Sequence, residues 1–318
     1  MKISSEWIRM DDQTEVYLKK WEAEDVIPKA IIHISHGMAE HIERYDEFAS
    51  FLVSNGIFVF GNDHRGHGQT GELAGLHGYF TDEDGFERVV DDLYEINKVI
   101  QKEYPDTPIF LFGHSMGSFL ARRYIQKYAC SIKGVIISGT GGNAGLLGKV
   151  GKSIAKREMR KNGPKTPSPL MNRLTFGNYN RNIEQPKTEF DWLSNDPHQV
   201  EKYMKDPYCG FVCSAGFFYD LLTGMERIHQ NQLIQFIPKD LPMFIFSGEE
   251  DPVGGRSKGV LKVIDQYKRN GLRNIDSVFF KEGRHEMLNE INRQDVFNAV
   301  YNWILRQLRF LNRVGGGD

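Results

Sequence analysis

The chain has 318 residues, of which 40% are hydrophobic and 26% charged, a composition typical of a globular protein with a sizeable core. Its 40 basic and 42 acidic side chains give a formal net charge of -2, which excludes a global electrostatic attraction to nucleic acid or another polyanion. Three cysteines are too few for a disulfide framework, and neither a secretion signal nor a membrane span is visible, so a cytoplasmic protein is expected.

Short apolar runs alternate with helical patterns along the first part of the chain. Two alternating runs, 6–10 and 15–21, predict a pair of antiparallel strands. Beyond them the pattern predicts strands at 30–35, 57–60, 109–112 and 134–138, and helices at 45–55, 86–104 and 116–128. This alternation predicts βαβ units, and therefore a mostly parallel sheet with helices on both faces and antiparallel strands at its N-terminal edge.

The alternation stops at residue 140 and resumes at residue 239. The intervening segment, 140–238, is rich in Gly, Lys and Asn and then in aromatic residues. The resumed pattern predicts a strand at 241–247, a helix at 258–270, a strand at 275–280 and a helix at 294–311. We therefore predict one α/β core, built from 1–139 and 239–318, with residues 140–238 inserted as a cap.

The strongest local signal is I-F-L-F-G-H-S-M-G-S at 109–118. Gly113, Ser115 and Gly117 fit G-x-S-x-G between a predicted strand and a predicted helix, which is the context that presents a serine nucleophile on a sharp turn. The glycines are needed because a Cβ at either position would collide with the neighbouring strand or helix. Ser115 is therefore the predicted nucleophile.

A serine hydroxyl needs a base within hydrogen-bond reach and a third group that orients the base. In this fold the partners follow in the order serine, acid, histidine, at the carboxyl ends of later strands. Asp251 and His285 occupy such positions, so Ser115, Asp251 and His285 form the predicted triad. Glu249 and Glu250 are rival acids in the same turn.

The oxyanion of the reaction needs backbone N–H donors. One comes from the residue after the nucleophile, here Met116, and the other from an early strand–helix loop. The loop H-G-M after the first buried strand places Met38 in that role. No cofactor is required by this chemistry.

Histidine pairs suggest a metal site, but the remaining pattern does not support one. His36 with His41, and His64 with His67, are the candidate pairs, yet no H-E-x-x-H motif occurs. A catalytic zinc needs three protein ligands, so no metal is predicted. Basic and aromatic residues are not interleaved as in nucleic-acid readers, and nucleic acid is not an expected partner.

Five motifs together resemble the monoacylglycerol lipase and lysophospholipase branch of the α/β-hydrolases. They are H-G-M-A-E-H-I-E-R-Y at 36–45, D-H-R-G-H-G at 63–68, G-H-S-M-G at 113–117, G-E-E-D-P-V at 248–253 and E-G-R-H-E-M at 282–287. The resemblance implies the α/β-hydrolase fold, the triad and the two oxyanion donors named above, and structural roles for Glu40, Arg65 and Gly66. The sequence departs from the family at Ser118, where members usually have glycine, and at Gln69, where they usually have serine.

The resemblance implies hydrolysis of carboxylic esters through an acyl-enzyme, with an acylglycerol, a lysolipid or an aryl or alkyl ester as substrate. The main alternative is an amidase or aminopeptidase that uses the same triad. Cap acids would then hold the substrate amine, the candidates being Glu184, Glu189, Asp191 and Glu201. A binding protein with an inactive site is disfavoured because every catalytic part is present.

The predicted cap carries two further features. Core packing is the simpler interpretation of any one of its apolar side chains, but as a set in a cap they suggest an acyl pocket. They are Leu146, Leu147, Phe176, Trp192, Leu193, Phe211, Phe217, Phe218, Leu221 and Leu222. The stretch 149–165 contains seven basic residues against Glu158. Most such runs are a solvated face; the alternative hypothesis is a weak contact of the cap with an anionic membrane interface.

Overall fold

A single eight-stranded sheet lies at the centre of the computed structural model, which describes the backbone of residues 1–315 and the side chains of residues 1–311. The strands are β1 (Lys2–Arg9), β2 (Glu15–Glu22), β3 (Ala30–Ser35), β4 (Ile57–Asn62), β5 (Ile109–His114), β6 (Gly134–Ser138), β7 (Met243–Gly248) and β8 (Ile275–Phe280). Their order is β1-β2-β4-β3-β5-β6-β7-β8. The β1–β2 and β2–β4 pairs are antiparallel and the other pairs are parallel.

Helices cover both faces of the sheet. They are α1 (Asp46–Ser54), α2 (Gly68–Leu73), α3 (Gly85–Glu103), α4 (Met116–Tyr128), α5 (Gly145–Asn162), α6 (Pro169–Phe176), α7 (Pro197–Lys205), α8 (Ala215–Ile228), α9 (Asn231–Ile234), α10 (Lys258–Arg269) and α11 (Arg293–Gly315). Alternate residues of β5 enter two separate apolar layers: Ile109 and Leu111 pack with α3 and α4, and Phe110 and Phe112 pack with α1 and α11.

The predicted fold class is confirmed. The strands β3 to β7 are completely buried, because helices cover both faces, and this is why they read as unbroken apolar runs in the sequence. Most predicted elements occur within a few residues of their expected ends, and α4, β6 and β8 have the predicted bounds. The last three residues of the predicted core segment, 316–318, lie outside the described part of the chain.

Five helices, α5 to α9, lie between β6 and β7, where the cap is predicted. One of them, α8, packs on α3 and α4 and places Phe217 and Phe218 in the main apolar layer. Helix α5 packs on the outside of α8. The boundaries 140–238 remain a prediction, and α8 is the part of that segment that packs as a layer of the core. Among the described residues no helix has the length and hydrophobicity to cross a bilayer.

Candidate active site

Ser115 lies on a sharp turn between β5 and α4, at the carboxyl end of the sheet. Its φ is +52°, a strained value for a residue other than glycine. Its N–H donates to the carbonyl of Ser138 on β6 over 2.9 Å, which holds the turn in place. A Cβ on Gly117 would lie 2.0 Å from the carbonyl oxygen of Ser35, and one on Gly113 would lie 2.4 Å from that of Gly117. The sharp turn therefore requires both glycines.

The structure brings the predicted acid and base together. Asp251 follows β7 and His285 follows β8, and the imidazole Nδ1 lies 3.0 Å from the Asp251 carboxylate Oδ1. Both side chains are buried. The carboxylate is itself held by the N–H of Val253 at 2.9 Å and the hydroxyl of Ser247 at 3.3 Å. Oδ1 thus accepts both the Val253 N–H and the imidazole, while Ser247 holds Oδ2.

The rival acids have other surroundings. Glu249 and Glu250 are exposed, and Glu250 pairs with Arg256 at 2.7 Å. Within the described residues, neither forms a hydrogen bond or ion pair with His285. Of the three acids in this turn, Asp251 is the one positioned to act on the histidine.

The charges around His285 favour its protonated form. Burial alone would lower the pKa of His285, but the charge and hydrogen bond of Asp251, aided by the charges of Glu286 and Glu40, raise it overall. Since a carboxylate accepts hydrogen bonds, Nδ1 carries the proton in the neutral ring and Nε2 has the free lone pair. This is the tautomer that a general base requires.

Ser115 and His285 line the same cavity, which has a volume of about 420 Å³. In the part of the chain that the structure describes, no hydrogen bond joins the Ser115 hydroxyl to the imidazole. Apolar residues of the predicted cap form much of the opposite wall, among them Phe176, Phe190, Trp192, Leu193 and Phe211. The Trp192 ring lies 5.0 Å from the His285 ring, so segment 140–238 directly contacts this histidine.

The loop after β3 lies against the nucleophile. A Cβ built on Gly37 would lie 3.2 Å from the Ser115 Cβ, so the two backbones approach closely. Among the described residues, the N–H groups of Met38 and Met116 donate to no other group. Met38 also lines the cavity. The two predicted oxyanion donors are therefore free backbone N–H groups that flank Ser115 in the fold.

The cap acids differ in their access to the cavity. Glu189 lines it, whereas Glu184 is exposed away from it. Asp191 accepts hydrogen bonds from the Lys187 N–H and the Thr188 hydroxyl, and Glu201 pairs with Lys205. One of the four candidates for holding a substrate amine is thus placed on the cavity wall.

Three of the four suspected histidines form a buried cluster of another kind, and His41 lies apart from them. The rings of His36, His64 and His67 lie 4.2–6.4 Å apart. His36 Nδ1 is 2.7 Å from the carbonyl of Gly37, and its Nε2 accepts the His64 N–H at 3.0 Å. Burial lowers the pKa of both His36 and His67 to about 3. These are neutral structural imidazoles under the loop after β3.

A second group of potential ligands lies where the cap meets the core. His41, Asp206 and Cys209 place one ligand atom each within 4.8 Å of one another. His41 Nε2 already bonds the Asp206 carboxylate at 2.8 Å, and burial raises the pKa of the Cys209 thiol, which opposes metal binding. We interpret this group as a hydrogen-bonded attachment of the cap.

Residues implied by the resemblance have identifiable packing roles. Arg65 binds the carboxylates of Asp92 and Asp12 at 2.6 Å each, and Gly66 has a φ of +69° beside the backbone of Tyr79. The Ser118 hydroxyl donates to the Ser115 carbonyl at 2.5 Å.

The other departure from the family, Gln69, donates its N–H to Asp63 at 2.7 Å. Among the described residues, neither Ser118 nor Gln69 lines the cavity. The Ser118 side chain therefore acts on the backbone of the nucleophile turn, whereas the Gln69 contact is made by a backbone N–H that serine would also supply.

Sequence reasoning missed one group in the site. Arg44 binds Glu40 and Glu286 in a buried ion-pair network, in which the two glutamates line the cavity and Arg44 lies behind them. Glu40 and Arg44 are four residues apart in the H-G-M motif, which is the one signal available in the sequence. Glu286 is 242 residues from Arg44, so nothing local reveals that contact.

The fold and this site together define a serine hydrolase of the α/β-hydrolase class. The family model described as serine aminopeptidase, S33, matches residues 27–292, and the chain belongs to this family. The predicted family, fold and enzyme class are therefore confirmed, while the roles of the individual site residues stay predictions.

Relatives and solved structures agree with this assignment. The chain is 28% identical to the monoglyceride lipase of Mus musculus, over 93% of this chain and 89% of the relative. It is 26% identical to a monoglyceride lipase homolog of monkeypox virus, over 94% and 97% of the two chains. A solved carboxyl esterase from Bacillus coagulans, in complex with glycerol, superimposes with a TM-score of 0.89 at 27% identity, over 97% and 99% of the two chains.

Proposed function

We propose that the chain hydrolyses carboxylic monoesters, with Ser115 as nucleophile, His285 as general base and Asp251 as the orienting acid. The single observation that carries this proposal is the 3.0 Å contact between His285 and Asp251, in a cavity whose wall includes the strained Ser115 turn. A hydroxyl, an imidazole and a carboxylate in this arrangement are the parts that nucleophilic acyl transfer requires.

The reaction follows from the positions of these groups. His285 Nε2 accepts the proton of Ser115 as the hydroxyl oxygen attacks the ester carbonyl carbon, and the N–H groups of Met38 and Met116 stabilise the resulting oxyanion. The imidazolium then protonates the departing alcohol, which leaves an acyl-enzyme. Water, deprotonated by the same imidazole, releases the acid. The serine–histidine hydrogen bond is expected to form when substrate is bound, as in other enzymes whose unliganded sites are looser.

The cavity supports an acyl group as the main recognised part of the substrate. Its volume of about 420 Å³ lies in the range of small-molecule sites, and aromatic side chains supply much of its wall. The relatives named monoglyceride lipase support an acylglycerol, and lysolipids and aryl or alkyl esters share the same reacting bond. We propose that segment 140–238 acts as the cap that encloses this acyl group.

A substrate series tests this function. Purified protein is assayed with monoacylglycerols of short, medium and long chain, with lysophosphatidylcholine, with aryl esters and with aminoacyl anilides. We expect kcat/KM to be highest for an ester of one chain length and to change by about 10-fold or more across the series, because each methylene in an apolar pocket contributes to discrimination. Higher kcat/KM for the anilides than for every ester would contradict the proposal.

The amidase alternative has less support in this site. An aminopeptidase needs acidic groups that reach the substrate amine, and Glu189 alone among the four candidate acids lies on the cavity wall. The anilide arm of the series decides between the two activities.

A weak membrane contact of the cap is the second part of the proposal. On α5, Leu146 and Leu147 are 77% and 83% exposed, and Val150 is 50% exposed. Exposed cations follow on the same helix, and those without an ion-pair partner among the described residues are Lys149, Lys156, Arg157, Arg160 and Lys161. A helix that begins with apolar residues and continues with basic ones can bind a membrane interface, because the interface offers acyl chains to the former and anionic headgroups to the latter.

Liposome binding tests this contact through the variant K156E/R157E/K161E. Each cation near an anionic surface contributes about 1 kcal/mol, so we expect the three reversals to lower affinity for phosphatidylglycerol-containing vesicles by about 100-fold or more. The matched control is K258E/K262E/K268E, which makes the same charge change on α10, outside the cap. Equal losses in the two variants, or equal binding to neutral and anionic vesicles, would overturn the proposed contact.

A further inference from the structure

Arg44 joins two loops that come from distant parts of the chain. Its Nη1 lies 2.6 Å from Oε2 of Glu40 and 2.6 Å from Oε1 of Glu286, and its Nη2 lies 2.6 Å from the other oxygen of Glu286. Glu40 belongs to the loop that carries the oxyanion donor, and Glu286 directly follows His285. One guanidinium thus connects the oxyanion loop, residues 36–40, to the histidine loop, residues 284–290.

On the oxyanion loop, Glu40 determines which backbone donor stays free. Its Oε1 accepts the N–H of Gly37 at 2.5 Å and the hydroxyl of Tyr45 at 3.0 Å. With the Gly37 N–H occupied, the next N–H along the loop, that of Met38, is the one left without a partner. Ala39 has a φ of +52°, so this loop conformation is strained and needs external support.

On the histidine loop, Glu286 is held at three points. Its N–H donates to the carbonyl of Leu193 in the cap at 2.7 Å, and its carboxylate accepts the side-chain amide of Asn289 at 2.9 Å as well as the two Arg44 contacts. A shift of Arg44 is therefore transmitted to the residue adjacent to the base. Segment 140–238 also contacts this network, because the Arg44 guanidinium lies 4.9 Å from the centre of the Tyr203 ring.

The burial of this network argues against a simple stabilising role. The side chains of Arg44, Glu40 and Glu286 are at most 9% exposed. Two carboxylates face one guanidinium, so the network has one excess negative charge in a buried place. Burying such ions costs free energy, and apolar residues of the same volume are often at least as stabilising. What apolar packing does not supply is a bidentate, directional link between two separate loops.

We propose that Arg44 is a positioning residue for the hydrolytic reaction: it holds the Met38 N–H donor and the His285 base at fixed positions relative to each other, on either side of Ser115. This inference rests on the proposed ester hydrolysis. It adds that the relative placement of the two loops depends on one buried guanidinium that contacts neither the substrate nor the nucleophile. Because a misplacement of about 1 Å can cost about 100-fold in rate, the effect falls on turnover more than on substrate binding.

The test compares R44K with the unaltered protein. Lysine keeps the charge but lacks the planar fork that binds two carboxylates at once. We expect kcat for the best ester to fall about 10–100-fold and KM to change by less than about 3-fold. R65K is the matched control, because Arg65 also binds two carboxylates while buried, yet its partners, Asp12 and Asp92, lie on neither the oxyanion loop nor the histidine loop. It should lower the melting temperature and leave kcat nearly unchanged.

A second variant, E286Q, removes the excess negative charge and weakens the link between Arg44 and the histidine loop. It tests the inference even if R44K does not fold. We expect a fall in kcat with an unchanged melting temperature, and we expect R44K/E286Q to be no slower than the slower single variant, since both remove one bridge. Wild-type kcat in folded R44K and E286Q, or losses that multiply in the double variant, would overturn the inference. A lack of ester turnover in the unaltered protein would instead overturn the proposed function.

Discussion

Replacement of Ser115 by alanine is expected to lower ester turnover by about 10⁴–10⁶-fold while the protein stays folded. The substitution removes the attacking oxygen, and the remaining oxyanion donors and cavity supply only the residual acceleration. The fold should survive because alanine keeps the Cβ, and because the N–H and carbonyl of residue 115 make their bonds to Ser138 and Ser118 through backbone atoms. Initial rates on the best ester, with circular dichroism and thermal melting, measure both expectations.

Ser118→Ala is the matched control for this experiment. Ser118 is a buried serine three residues along the same helix, and its hydroxyl bonds the Ser115 carbonyl. Its loss removes one hydrogen bond, worth about 1 kcal/mol, and should leave turnover within about 10-fold of the unaltered protein. A fluorophosphonate probe should label the unaltered protein and S118A but not S115A. Labelling or near-normal turnover of S115A would place the nucleophile elsewhere.

Asp251→Asn is expected to lower kcat by about 10³–10⁴-fold with little change in KM. An amide in this buried position no longer stabilises the imidazolium, and its NH₂ group can favour the wrong tautomer of His285. The charge of Asp251 is the main influence that raises the pKa of His285 against burial. Its removal should therefore lower that pKa, so the acid limb of the residual pH–rate profile moves to lower pH.

Glu249→Gln and Glu250→Gln are the controls for the acid. Both carboxylates lie in the same turn as Asp251 but are exposed to solvent. Each amide variant should keep turnover within about 2-fold, because exposed charges at this distance are screened. A severe loss in E249Q or E250Q together with an active D251N would transfer the role of acid to the affected glutamate.

The features predicted from the sequence are those with a local cause. Contacts between one strand and the next helix require the two glycines around Ser115, so the five residues G-H-S-M-G are enough to predict the turn. The buried strands are visible because both faces are covered and the apolar runs are unbroken. Asp251 and His285 follow their strands directly, and parallel strands bring their carboxyl ends to one edge. Their contact thus follows from topology.

What the sequence did not reveal depends on contacts between distant segments. Arg44 and Glu286 appear in the sequence as ordinary charged residues, and their pairing exists because the cap and two loops close around them. Helix α8 lies within the predicted cap segment, and nothing local in its sequence tells which partner its apolar face meets. In the structure that face, with Phe217 and Phe218, packs into the core layer.

The hydrogen bonds of segment 140–238 to the rest of the chain restrict which part of that segment can move. Tyr203 and Gly210 hydrogen-bond the carbonyl of Ala39, and the carbonyls of Trp192 and Leu193 accept the N–H groups of the histidine loop. Movement of this half of the segment would break these hydrogen bonds and displace the loops that carry Met38 and His285. Helix α5 packs mainly on α8, and α6 packs on α5. An opening on the side of α5 and α6 would leave these hydrogen bonds intact, so that half of the segment can move without displacing the two loops.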